Sequence, residues 1–251
     1  MNKHITLAVA TSCILLSCSA EKDGSVFVVT DTIEETQSAY SINAKIPHLK
    51  GNLDTSTLAD INDRLGKFGK DERTKFLLEI ENMFVDPGQS QKSGLVIRFE
   101  TKTVSANLLS IVMEVTPYIA GAAHPNVRTE SFAYDIVMKK QLLLTDMFNT
   151  NTKYLERLSE LSIKQLIDTS KKNNTYYEAK LQTIKQGAAP KQDNFKTFAI
   201  QDGSLIISFD PYQVGPYAEG VQTVTLKRTD ITDVLSNQGR KLLSESQIVE
   251  D

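Results

Sequence analysis

The sequence predicts an α+β protein with mainly antiparallel sheets, packing helices segregated from the strands, and two closely associated subdomains. Three observations carry this prediction. Period-two runs such as Tyr40, Ile42, Ala44 and Ile46 mark half-buried strands. Helical stripes such as Leu155, Leu158, Leu161 and Leu166 mark amphipathic helices. The two kinds of segment come in blocks instead of alternating one for one.

Composition narrows the function classes first. The chain has 251 residues, 40% hydrophobic and 24% charged, enough to bury a core without disulfides or metals. The net charge of -3 and the absence of a basic stripe set nucleic acid aside as a partner. At the start, Lys3 precedes an apolar run from Ile5 to Leu16, too short for a permanent transmembrane helix. The run ends in Leu15-Leu16-Ser17-Cys18, which resembles a bacterial lipobox. Residues 1–17 are then a lipoprotein signal peptide and Cys18 the acylated lipid anchor, held on a membrane by several acyl chains. The expected location is the cell envelope, on a periplasmic or outer-membrane face. Cys13 lies in the discarded segment, so cysteine catalysis and cysteine metal sites drop out. Residues 18–35 read as a tether, with Val26 to Val29 a short β-branched run inside it.

Taken in order, Ala39 to Ile46 reads as a strand ended by Pro47, with His48 on a solvated loop. Thr55-Ser56-Thr57 offers a helix cap, with Asp60 as a capping-box variant. The helical spacing of Leu58, Ile61, Leu65 and Phe68 resumes at Phe76, Leu77 and Ile80, so Gly66 and Gly69 leave one broken helix or two in tandem. Asp86-Pro87-Gly88 reads as a turn. Two long strands follow, around Leu95 to Phe99 and Leu109 to Val115, with Ala106-Asn107 making a hairpin. Phe132, Tyr134 and Ile136 alternate in a third strand, and Thr145-Asp146 caps a short helical turn with Met147 and Phe148 inward. Helices are expected from Lys153 to Asn173-Asn174 and again around Tyr177 to Gly187. Asp202-Gly203 between apolar runs is the best hairpin signal in the chain. A strand over 221–226 and a helix from Thr229 through Leu235 follow, and residues 237–251 read as a polar tail. The two halves of the mature chain are placed at 36–150 and 151–236.

Four motifs occur in register: Tyr-x-x-Gly-x-x-His-Pro-Asn at Tyr118 to Asn126, Phe-x-Tyr-Asp at Phe132 to Asp135, Leu-x-Leu-Thr-Asp-Met-Phe at Leu142 to Phe148, and Phe209 to Gly220 around Asp-Pro-Tyr-Gln-Val-Gly-Pro-Tyr. Together they resemble bacterial envelope proteins with a PdaC-like N-terminal domain followed by an RsiV-like C-terminal domain, domain of unknown function 3298. Relative to that pattern, Met138-Lys139-Lys140 lacks a turn glycine, and Gly121-Ala122-Ala123-His124 is less glycine-rich. The resemblance implies a recognition module. One branch binds lysozyme; another stands in front of a peptidoglycan deacetylase. Neither a cytoplasmic anti-sigma segment nor the deacetylase signature is found in this sequence.

The candidate ligand-binding residues are Tyr118, His124, Asn126, Asp210, Tyr212 and Tyr217. His124 is the candidate for chemistry by residue type, yet no orienting partner or nucleophile can be assigned to it from the sequence, and a structural role holding its loop is favoured. Tyr212 and Tyr217 are amphipathic rings on a proline-stiffened loop, suited to a binding surface or to a lid folded on the sheet. Asp210 caps the turn at Pro211 or faces a ligand. No cofactor and no metal site is expected. The expected function is non-catalytic binding of a protein or glycan at the cell wall, lysozyme or peptidoglycan fragments being the ligands in view. The alternative is a hydrolase of cell-wall glycan or peptide, which for glycan requires two converging carboxylates.

Overall fold

The computed structural model describes residues 25–82 and 91–245. The expected signal peptide with Cys18, the expected turn at Asp86-Pro87-Gly88 and the chain beyond 245 lie outside these residues. Among them, nine strands form two mostly antiparallel sheets, β1 to β6 and β7 to β9, as an α+β fold requires. No described helix is long and apolar enough to cross a membrane. The chain divides into two compact units. One runs to Arg98 and takes in Thr116–Pro125; the other comprises Phe99–Val115 and everything from Asn126. This division differs from a cut at 150/151, because long strands carry the chain from one unit into the other.

In the first unit, β1 (Val26–Thr36) pairs antiparallel along its whole length with β2 (Tyr40–Gly51). Residues 26–35 are therefore strand rather than tether. Their half-buried pattern is that of an edge strand, which composition alone reads as linker. β2 continues through Pro47 instead of ending there. Its second ladder, parallel to β3 (Ser93–Val104), covers only Tyr40 to Ala44, so beyond that point β2 is bonded on one side and tolerates a proline. His48 is thus a strand residue, not a solvated loop residue. Its Nδ1 lies 2.9 Å from Asp31 Oδ2, and its Nε2 accepts from Asn62 Nδ2 at 3.3 Å.

α1 (Thr55–Asn82) is one continuous helix. Its cap is Asp54, whose carboxylate accepts from Thr57 N and Thr57 Oγ1, not the Thr55-Ser56-Thr57 run itself. Gly69 does not break the helix; a Cβ there would stand 2.8 Å from Ile46 Cδ1, so the glycine lets the helix lie close on β2. Ile61, Leu65 and Phe76 close the core against Ile42, Ala44 and Leu49. Asn62 pins the helix by exchanging both bonds with the Leu49 backbone, at 2.8 and 3.0 Å.

In the second unit β4 (Leu108–Tyr118) contributes its first eight residues, which pair with β5 (Arg128–Asp135); β5 pairs in turn with β6 (Lys140–Gln141). Strict alternation fails in β5, where Phe132 through Asp135 are all buried because both faces are covered. α2 (Tyr154–Lys172), α3 (Glu178–Gly187) and the hairpin of β7 (Thr197–Gln201) and β8 (Ser204–Phe209) fall where the periodicities place them. Asp202 and Gly203 both take left-handed φ, 48° and 70°, the backbone of a two-residue hairpin turn. β9 (Gln222–Lys227) completes the second sheet.

The expected helix through Leu235 is instead a single turn, α4 (Arg228–Ile231), and the expected polar tail folds as α5 (Asn237–Glu245). Ser236 Oγ caps α5 by accepting from Gly239 N, Gln238 Nε2 donates to buried Asp135, and Leu242 and Leu243 enter the core. Two adjacent leucines in a polar stretch give no helical stripe, so the segment reads as tail.

The turn after β5 holds Lys139 at φ 52°, within the Met138-Lys139-Lys140 run that lacks a glycine. A left-handed lysine costs about 1–2 kcal/mol of backbone strain. Lys139→Gly should therefore exceed Lys139→Ala in stability by about 1 kcal/mol, read by urea unfolding of both variants. Equal midpoints would show that the turn is unstrained.

Candidate functional site

The Asp210–Gly220 segment connects β8 to β9, and most of its irregular backbone is fixed by one side chain. Gln213 Nε2 donates to Gly187 O and to Asn194 O, both at 3.0 Å, while its Oε1 accepts from Asp210 N at 3.2 Å. A Cβ on Gly187 would stand 1.8 Å from Gln213 O, so glycine here serves close approach. The sequence assigns Gly187 to helix termination; contact is its larger role. Val214 follows Gln213 into the core.

Gln213 going inward forces the preceding residue outward. Tyr212 has φ 71°, unusual for a large side chain, and is 61% exposed. Its ring lies 5.6 Å from that of Tyr217 at an interplanar angle of 37°. The tyrosines thus pack on each other, and Tyr212 is not a lid folded into the sheet. Tyr217 opens a 3-10 turn, Tyr217–Glu219.

Asp210 neither caps the Pro211 turn through its side chain nor points outward. Its Oδ1 accepts from Thr129 N and Thr129 Oγ1, both at 2.7 Å, and Lys196 Nζ approaches its other oxygen at 3.7 Å. The carboxylate fastens the loop to β5. Asn126 lies exposed just ahead of β5. The structure therefore brings Tyr212 and Tyr217 together and turns Asp210 to an internal task.

Tyr118 and His124 belong to the other unit. Tyr118 Oη donates to Gln91 Oε1 at 2.6 Å. His124 Nδ1 lies 2.9 Å from Pro125 O; a carbonyl only accepts, so Nδ1 carries the hydrogen and holds the loop. Among the described residues no group of three or more His, Cys, Asp or Glu side chains is placed to hold a metal ion.

The sequence reading missed a second feature of this loop. Glu219 extends from the 3-10 turn to Lys180 Nζ, with both carboxylate oxygens in reach at 2.7 and 2.6 Å, and Thr175 Oγ1 accepts from the same Nζ at 3.0 Å. Lys180 is only 3% exposed. It shares a helix face with Ile184 and Gly187, at positions i, i+4 and i+7. A lysine on an apolar stripe is the signal that could have found it.

Residues 145–229 match the family described as "Protein of unknown function (DUF3298)". The resemblance expected from the four motifs is shown. The chain is 28% identical over 179 residues to the peptidoglycan-N-acetylmuramic acid deacetylase PdaC of Bacillus subtilis (strain 168). The match covers 71% of this chain but 37% of that protein. Two solved structures share the fold. A DUF3298 family member from Bacteroides fragilis NCTC 9343 superposes with a TM-score of 0.64 at 17% identity, covering 88% of this chain and 98% of its own. A DUF3298 family protein from Pseudomonas aeruginosa PAO1 gives 0.57 at 15%, covering 86% and 96%.

Gln213→Ala removes three bonds to backbone groups, each worth about 0.5–1.5 kcal/mol net, so a loss of about 2–4 kcal/mol is expected by denaturant unfolding. Hydrogen exchange should quicken across residues 210–220 while the amides of α1 keep their protection. Unchanged exchange in the loop would refute the bracing role.

Proposed function

We propose that this chain is a lipid-anchored, non-catalytic cell-envelope protein that binds a protein or glycan at the cell wall. The observation that carries this reading is Tyr212: an exposed ring on strained backbone, held outward by the bonds that pull Gln213 inward. Strain of this kind costs about 1–3 kcal/mol and collects at sites of function. A ring already fixed in place loses little conformational freedom when a ligand covers it. Aromatic anchors of this type dominate binding surfaces. The peptidoglycan deacetylase relative supports a cell-wall setting, and the Leu15-Leu16-Ser17-Cys18 sequence supports the anchor. Lysozyme and peptidoglycan fragments are the ligands to test.

The full chain, bound to purified peptidoglycan or to lysozyme beads, should be retained by one of them. Tyr212→Ala and Tyr217→Ala should each weaken retention at least tenfold, about 1.4 kcal/mol or more. Retention of neither material, or release of acetate or reducing sugar from peptidoglycan, would defeat the proposal. Separately, Cys18→Ser should move the protein from the membrane fraction of expressing cells to the soluble fraction and abolish labelling by radioactive palmitate. A variant that stays with the membrane would remove the anchor from the account.

A further inference from the structure

A polar recess of about 220 Å³ opens in the second unit where the end of α2, the loop into α3 and the start of β9 converge. Thr169, Asn173, Thr175, Glu219 and Gln222 line it, together with the buried Ser170 and Lys180. We propose that this recess is a subsite for one neutral saccharide ring. The proposal rests on the binding reading above and narrows its ligand to a glycan.

Charge bookkeeping at Lys180 selects the ligand class. An ammonium group has three hydrogens to donate. Here Thr175 Oγ1 and the two oxygens of Glu219 supply three acceptors within 3.0 Å. The cation is therefore fully occupied and has nothing left for a phosphate or carboxylate ligand. The same pairing neutralises Glu219, so the recess has little attraction for a free cation. What it offers is neutral hydrogen bonding. The Thr169 hydroxyl and the Asn173 amide can each donate or accept, while the Thr175 hydroxyl is engaged with Lys180 Nζ and Ser170 O. Gln222 spends its Nε2 on Glu219 O at 2.6 Å, which leaves its own oxygen for a ligand. A sugar hydroxyl both donates and accepts, and several on one ring match such a lining.

Size and surroundings agree. Sites for drug-sized ligands run from roughly 300 to 1,000 Å³, so this recess takes a smaller molecule, of the order of one ring. Tyr176 and Tyr177, both exposed, follow Thr175 directly in the chain, and Tyr217 stands two residues before Glu219. Exposed tyrosine rings are the kind of face that the apolar side of a sugar covers, and of these Tyr176 already has Lys171 Nζ 5.3 Å from its ring centre.

The test is an NMR titration of the full chain with N-acetylglucosamine, its β-1,4 tetramer and glucuronate, run beside the peptidoglycan and lysozyme retention assays. The neutral sugars should shift the amide signals of Thr175, Lys180 and Glu219 with affinity on the order of millimolar. Glucuronate should bind at least tenfold more weakly. Asn173→Trp, a change at an exposed position that fills the recess, should cost at least tenfold in sugar affinity with an unchanged melting temperature. Thr169→Trp should do the same if the first variant folds poorly. A tetramer that binds more tightly than the monomer identifies a polymer as the source, and equal affinity identifies free sugar; either supports the subsite. Absence of shifts, equal binding of glucuronate, or full affinity in a folded blocking variant overturns it. A chain that keeps its Tyr212-dependent retention while ignoring sugars loses this subsite and keeps the binding function. A chain that takes the sugars but is retained by nothing keeps the subsite and loses the wall-binding role.

Discussion

Backbone meets backbone at Gly187, and the second unit's loop geometry depends on that approach. With no side chain on Gly187, Gln213 O comes to within 1.8 Å of where a Cβ would stand. From there the Gln213 amide reaches two carbonyls, Gly187 O and Asn194 O, that neither helix nor sheet would satisfy. α3 ends with Ile184 and Ala188 fully buried, and Val214 packs into the same core. One residue thus ties together the end of a helix, a 3-10 turn and the loop between two strands. The left-handed Tyr212 follows from this: with Gln213 inward and Asp210 held on Thr129, the remaining backbone has little freedom.

The Lys180–Glu219 pair works at a different level. Surface pairs such as Lys67–Asp71 contribute about 0.2–1 kcal/mol and are screened by salt. Inside the protein, desolvation offsets most of the attraction, so the pair is weak evidence for stability as such. Losing one partner is another matter, since the stranded charge costs about 3–5 kcal/mol. The pair therefore specifies position: Glu219 can sit in only one place, and the Tyr217–Glu219 turn is held with it. Arg73 and Glu35 do the same for the first unit, two parallel bonds joining α1 to β1.

How much of this was legible in the sequence follows from which signals are local. α2 announces itself because its stripe repeats over five turns, and the β7–β8 hairpin because Asp202-Gly203 suits left-handed backbone. β1 was half legible: Val26 to Val29 reads as strand, but Asp31 to Thr36 are polar apart from Ile33 and gain order only by pairing with β2. Pro47 misled because its tolerance depends on where the parallel ladder with β3 stops, which is a tertiary fact. α5 was hidden because its cap, Ser236, and its two leucines make sense only once Asp135 and the Met147 backbone stand beside them. At the candidate site the aromatic residues were visible and their support was not. Gln213 is an ordinary letter until the fold surrounds it, and Lys180 shows only as a lysine on the stripe of Ile184 and Gly187.

The inner and outer faces of the same loop are what the proposed recognition role draws on. A loop that performs proton transfer needs a titratable group aimed at the reacting atoms. Here the acidic side chains face inward, Asp210 to Thr129 and Lys196, Glu219 to Lys180. The outward positions belong to the tyrosines, which offer area, a hydroxyl and few rotatable bonds. A flexible loop with the same residues would surrender much of its contact energy in ordering itself. The bonds of Gln213 and the contact at Gly187 meet that cost during folding, so the loop backbone that carries the tyrosines is fixed in the folded chain.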